Sequence, residues 1–571
     1  MNLQQELTQR LARAIAAAFP DASDAEPMVT AAQNPQFGDY QANCAMGLSK
    51  RLKSNPRAIA QSIVAALDAG DLIDEPTIAG PGFINMRLRP EFLERQAAAV
   101  GADERLGLPV AETPRTVVVD FSSPNTCKPM HIGHVRSMVI GDAICRLLRL
   151  LGHRVVADNH LGDWGTQFGL LIVGFRMFGH EVPERDDPLL RLVEIYKRAH
   201  AAAEADETVR DQARAELARL HAGDQENYRQ WQQYCRWSME HFNQIYRRMD
   251  VHFDETLGES FYNDLLPGVV DELAAAGLAR PSEGAMCVFW DDDSLPPLLV
   301  RKKDGAFLYA TTDLATLKYR RDRWHPDEIV YLTDARQQLH FRQIFSVAER
   351  WGVAEGMRLR HVWFGTILGP DGTPLKTRSG DLVELADVLD EAERRAVEVV
   401  REKTPDLDDA EAGEIARAVG LGAIKYADLS QNRQSDFVFD WDKMLSMQGN
   451  TAPYLQYAYA RIRSIFRKGA ESGCRPGETG VSVAEPAERA LALKLLQWPE
   501  AVAAAGDDYR MNLICNYLYE LSSVFTSFYE SCPVLKSEPA QRDSRLQLCD
   551  LTSRVLKTGL DVLGIQVLER M

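Results

Sequence analysis

Hydrophobic and polar positions along this chain change register several times, and each register predicts an element. Residues 1–19 repeat apolar positions at helical spacing, with Glu6, Arg10 and Arg13 on the polar side, and a second helical stretch covers about 58–67. Ala79-Gly80-Pro81-Gly82-Phe83-Ile84-Asn85-Met86 reads as a turn leading into a strand. Val117-Val118-Val119 is a continuous apolar run, the pattern of a strand covered on both faces. After it, Ile140, Ile144, Leu147, Leu148 and Leu151 keep the spacing of one helix face. A charge-laced helical pattern fills about 183–250, polar enough over 210–220 to predict solvent exposure. Short apolar runs resume at 286–290, 298–300, 329–332 and 362–367. From about 408 onward nearly everything is helical, with Pro453, Pro486, Pro499 and Pro533 at starts or breaks. Residues 511–529 form a long, aromatic-rich helix pattern, and 469–486 is the best loop candidate.

Strands alternating with helices predict an α/β, doubly wound parallel sheet, split by a helical insertion. An N-terminal α+β module precedes it and an all-helical bundle follows it. The boundaries expected are 1–110, 111–407 with the insertion at about 183–250, and 408–571. A chain of 571 residues has room for such a division.

Composition narrows the class without naming it. Apolar residues make up 45% and charged residues 26%, as in globular proteins generally. No run reaches the roughly 18 apolar residues of a membrane helix, and residues 1–19 lack a signal core, so a cytoplasmic protein without membrane contact is expected. The nine cysteines never reach C-x-x-C spacing, which argues against a structural metal or a disulfide frame. Net charge is −17, yet nucleic-acid binding depends on local patches. Basic clusters occur at Arg301-Lys302-Lys303, Lys318-Tyr319-Arg320-Arg321 and Arg461, Arg463, Arg467, Lys468. Charge alone leaves RNA binding open.

The most informative stretch is Ser123-Pro124-Asn125-Thr126-Cys127-Lys128-Pro129-Met130-His131-Ile132-Gly133-His134, between the buried strand and the following helix. A helix N-terminus offers unpaired N–H groups, glycine admits a phosphate to the backbone, and imidazoles add donors. His131-Ile132-Gly133-His134 matches verbatim the signature of class I aminoacyl-tRNA synthetases. The flanking Ser123, Asn125 and Lys128, together with Asp158-Asn159-His160-Leu161-Gly162-Asp163-Trp164-Gly165-Thr166-Gln167, closely resemble the arginyl-tRNA synthetase family over essentially the whole chain.

The resemblance implies an arginine–tRNA ligase of class I that uses ATP with Mg2+. It would convert L-arginine to arginyl-adenylate and transfer it to the terminal adenosine of tRNA(Arg), giving AMP and pyrophosphate. It further implies a monomer that activates arginine only with tRNA bound, and whose N-terminal domain and helical domain contact tRNA. Catalysis would rest on His131, His134 and Lys128, and ATP binding on His131, Gly133, His134, Lys376 and Arg378. The family's first loop lysine is Pro374 here, and Lys128 occupies the position thought to replace it. Ser123, Asn125, His134, Tyr309, Asp313 and Gln337 would bind arginine, with Asp120 a further acidic neighbour. Tyr40, Gln41, Tyr454 and Gln456 would face tRNA. Plain structural readings stand beside these: a solvent-facing Lys128, Asp313 as a helix N-cap, Gln338 in place of Gln337, and core positions for the tyrosines.

Overall fold

The computed structural model describes residues 2–375, 383–473 and 480–571. They form two compact units. One comprises Ala111–Ser446 with Val562–Ile565, and the other Met1–Val110, Met447–Asp561 and Gln566–Met571.

The first unit is built on a five-stranded parallel sheet in the order Arg358–His361, Glu328–Tyr331, Thr116–Asp120, Arg154–Leu161, Glu255–Gly258. Val117, Val118 and Val119 are completely buried at its centre, as a strand covered on both faces requires. The chain enters in the middle strand, builds toward Glu255–Gly258, then returns to add Glu328–Tyr331 on the other side. That reversal places a crevice at the carboxyl ends of Thr116–Asp120 and Glu328–Tyr331, where open α/β sheets bind ligands. The helix predicted after the first strand is His134–Leu150.

Two expected strands belong elsewhere. Ala285–Val288 and Leu298–Arg301 join Ala279–Ser282 in a separate antiparallel sheet. The reason is local: Glu283 (φ 51°) and Gly284 (φ 87°) make a two-residue turn with both central residues left-handed, which dictates a hairpin. The run at 362–367 is likewise displaced, because the strand ends at His361, Phe364 makes a single bridge to Asp334, and Ile367–Leu368 pairs with Phe437–Val438. The insertion consists of helices Pro188–Ala205, Glu207–His221 and Gln225–Arg248.

In the second unit a four-stranded antiparallel sheet runs Val29–Ala31, Tyr40–Ala42, Phe83–Met86, Thr77–Ala79. Gly38 (φ 94°) enters it where a Cβ would lie 2.5 Å from the Met86 carbonyl oxygen, so only glycine fits. Its helical part includes Ala452–Glu471, Pro486–Leu496, Trp498–Asp508 and Met511–Ser531, with Pro453, Pro486 and Pro499 in first turns. Arg489 grips Asp39 through two hydrogen bonds of 2.9 and 2.6 Å, joining helices to sheet. No described helix is long and apolar enough to cross a membrane.

Candidate active site

The signature turn fixes its own chemistry. Gly133 precedes the helix, its N–H donates to His131 Nδ1 at 3.1 Å, and the His131 N–H donates to His134 Nδ1 at 3.1 Å. His131 Nδ1 therefore accepts, which assigns its ring proton to Nε2; His134 Nδ1 also lies 3.2 Å from the His131 carbonyl oxygen, so its ring proton goes to Nε2 only where the contact with the His131 N–H wins. The rings lie 4.0 Å apart. Burial, then His131, pushes His134 down to about 3. Burial, then Arg336 and Lys128, lowers His131 as well. Both imidazoles are neutral N–H donors at pH 7. A Cβ at Gly133 would meet His131 Cε1 at 2.9 Å, so glycine here keeps room for that ring.

The signature is also tied to the far side of the Pro374 loop. Ile132 N–H donates to Val383 O and Leu385 N–H to Met130 O, each at 2.9 Å. Lys376 and Arg378 lie outside the described residues.

The loop after Thr116–Asp120 is held in disfavoured backbone geometry, with Ser122, Ser123 and Cys127 at φ 72°, 47° and 66°. Asn125 crosses Gly162 so closely that a Cβ there would meet Asn125 Oδ1 at 2.1 Å. Lys128 is exposed and makes no hydrogen bond or ion pair with the described residues. The neighbouring Cys127 is buried and its thiol pushed up to about 12, so it is no nucleophile.

The acidic side assembles from separate elements. Tyr309 and Asp313 sit one turn apart at the start of helix Tyr309–Trp324, whose N-cap is Leu308, so Asp313 is not a cap. Tyr309 is 73% exposed. Asp313 Oδ2 lies 2.5 Å from His340 Nε2. Gln337 is exposed and ends the short turn Ala335–Gln337, while Gln338 is partly buried. Ser123 follows one central strand and Gln337 the other, so both lie at the crevice.

Asp120 is not an open acidic neighbour. Arg320, from one of the basic clusters, is completely buried and donates to Asp120 at 2.7 Å and to Asp158 at 2.9 Å, while Ser123 Oγ donates to Asp120 at 3.0 Å. Sequence reasoning overlooked two residues. His340, three residues beyond Gln337, was not singled out. Glu259 directly follows the Glu255–Gly258 strand, a position at the carboxyl edge that could have flagged it. Burial first, then Asp313 and Asp163, pushes Glu259 up to about 8. A cation placed beside these carboxyls would lower Glu259 again and favour its charged form.

Comparison with known proteins decides the family. Residues 97–441 match the family described as tRNA synthetases class I (R), catalytic domain. Residues 455–571 match the DALR anticodon binding domain, and 3–88 the arginyl tRNA synthetase N terminal domain. The arginine–tRNA ligase of Hahella chejuensis is 46% identical over 581 residues, and that of Chromobacterium violaceum 45% over 579, each with 100% of both chains covered. The chain belongs to the arginyl-tRNA synthetases. It is an arginine–tRNA ligase of class I. The Plasmodium falciparum arginyl-tRNA synthetase superposes with a TM-score of 0.87 at 29% identity, covering 100% of this chain and 99% of that one. The Thermus thermophilus arginyl-tRNA synthetase gives 0.83 at 27%, with 100% of each covered.

Of the four residues expected to face tRNA in this synthetase, two are enclosed and two are partly exposed. Tyr40 is completely buried and its hydroxyl donates to Glu500 at 2.6 Å. Gln456 is also buried, its amide donating to Gln566 O at 2.8 Å. Gln41, partly exposed, donates to Asn85 at 2.7 Å, and Tyr454 packs against Tyr519 with centroids 5.7 Å apart. Close before Gln41 in the chain the turn Pro35–Phe37 presents Phe37, 45% exposed.

Proposed function

We propose that the crevice activates arginine by in-line attack of its carboxylate on the α-phosphorus of ATP, releasing pyrophosphate. The observation that carries this is the pairing of two neutral imidazole donors with a cluster of carboxyls, Glu259 beside Asp313 and Asp163, both served by the carboxyl edge of one sheet. His131 and His134 donate from Nε2 to phosphate oxygens at a helix N-terminus, and the Gly133 backbone lets those oxygens approach. Lys128, without a hydrogen-bond or ion-pair partner among the described residues, supplies positive charge where Pro374 cannot, with Lys376 and Arg378 as further phosphate ligands.

On the other side Asp313 and Glu259 receive the guanidinium, and Tyr309 and Gln337 line its approach. Ser123, Asn125 and His134 hold the α-amino acid end. A site that bonds every guanidinium N–H rejects analogues lacking it, so no editing step is needed. Mg2+ would enter with the nucleotide, carried chiefly by its phosphates. The tRNA's terminal adenosine then takes the arginyl group through its 2′ hydroxyl.

The division of labour proposed is chemistry in 111–407 and tRNA recognition in 1–110 and 408–571. Phe37, Gln41 and Tyr454 are the RNA-facing side chains, since stacking needs an accessible ring or amide. Tyr40 and Gln456 support them from inside. The synthetase acts as a cytoplasmic monomer. ATP–pyrophosphate exchange, run over all the standard amino acids with and without tRNA(Arg), tests this reading. Exchange is expected with arginine alone and only with tRNA present. Exchange with another amino acid, or equal rates without tRNA, would overturn it.

A further inference from the structure

We propose that Ser238 and Tyr246, on insertion helix Gln225–Arg248, are positioning residues, Tyr246 for the arginine side of the strained loop and Ser238 for its phosphate side. The proposal rests on the assignment of Ser123 to arginine and Lys128 to phosphate above. Non-glycine residues stay left-handed only where their surroundings over-determine them. Ser122, Ser123 and Cys127 do so in one short loop, and much of what holds them comes from the insertion rather than the sheet.

Tyr246 OH accepts from Asn159 Nδ2 at 3.1 Å, and lies 2.9 Å from Ser122 Oγ, to which its proton is then free to go. Asn159 Oδ1 in turn accepts the Ser123 N–H at 3.2 Å. Two helical turns earlier, Ser238 Oγ accepts the Cys127 N–H at 2.8 Å while donating to Tyr234 O at 2.8 Å. Trp231, two further turns back, donates to Asp163 O at 2.8 Å. Residues 231, 238 and 246 recur at helical spacing, so one face of one helix makes all three contacts. Ser238 and Asn159 are wholly buried and Tyr246 nearly so, which leaves no water to replace a lost partner. Ser122 immediately precedes Ser123, and Cys127 immediately precedes Lys128. Each hydroxyl therefore controls the aim of a different substrate contact.

Tyr246→Phe keeps the ring beside Phe253 (centroids 4.9 Å) and removes only the hydroxyl. Ser238→Ala removes only Oγ. In tRNA-supported ATP–pyrophosphate exchange, Tyr246→Phe is expected to raise KM for arginine about tenfold and leave KM for ATP within about twofold. Ser238→Ala is expected to raise KM for ATP or lower kcat about tenfold, with KM for arginine within about twofold. Ser238→Thr, which retains the hydroxyl, should recover the ATP constant, so a folding defect in the alanine variant leaves the test standing. Gln232→Ala, exposed on the same helix, should behave as wild type. The proposal is overturned if each variant shifts both substrates equally, if either leaves its own constant unchanged, or if Gln232→Ala matches them. A wild-type enzyme that fails to exchange with arginine would instead sink the assignment of the site itself.

Discussion

The two halves of the crevice solve opposite electrostatic problems with different materials. The half proposed for phosphate is nearly contiguous: Lys128, His131, Gly133 and His134 lie within seven residues and would meet an anion with a helix terminus and neutral N–H donors. The half proposed for guanidinium gathers Glu259, Tyr309 with Asp313, and Gln337 from three places in the chain and keeps its carboxyls close together. Backbone donors come with any helix start, so a short motif can encode them. A paired set of carboxylates repels itself and persists only where a packed fold holds it.

The sharpest way to separate the halves is Asp313→Ala. Truncating one member of a buried charge pair removes about 4 kcal/mol, so kcat/KM for arginine should fall roughly a thousandfold while tRNA affinity is retained in filter binding. Unimpaired activation would remove Asp313 from the pocket. His131→Ala comes next. Loss of one preorganised donor should lower kcat by about 3 kcal/mol, near a hundredfold, with arginine affinity unchanged in calorimetry. A matching loss of arginine affinity would erase the division between halves.

The pH response distinguishes them further. Free Glu259 holds its proton up to about pH 8, whereas a bound guanidinium favours the carboxylate, so arginine binding expels a proton. Affinity for arginine should therefore climb with pH by up to about tenfold per unit below 8 and level off above. The imidazoles, with pKa values lowered, stay neutral across that window and contribute no slope. Titrating arginine affinity of Glu259→Gln should give a flat line, and an equally steep one would exclude Glu259. The smallest effect expected is from Gly133→Ala. Its new Cβ, 2.9 Å from His131 Cε1, forces the ring aside without straining a backbone already at φ −62°, lowering kcat by several-fold, about 1 kcal/mol.

Much of the phosphate half was readable because its signals are local. An apolar triplet, a helix with regular spacing and a glycine between histidines need no distant partner to be recognised. Asp313 and Gln337 came from resemblance, and Glu259 did not, since a single glutamate after a short strand looks like many others. Arg320 illustrates the limit from the opposite side. In sequence it is one of four residues in a basic-looking surface run, and in the fold it is the buried partner of Asp120 and Asp158. Tyr40 is a similar case, an aromatic expected to face tRNA that begins a buried strand and whose hydroxyl is taken up by Glu500. The runs at 286–290 and 298–300 were correctly strand-like, but their partners depended on the Glu283–Gly284 turn.

By itself the sequence determined the helix starts, the buried central strand, the three-part organisation of domains and the family. Those follow from short-range periodicity, capping and motifs. Tertiary structure decided which strands share a sheet, which charges are neutralised inside, and which carboxyls are left facing one another. Pairing and burial depend on residues far apart in the chain meeting in a low-dielectric interior, and no local pattern records that meeting.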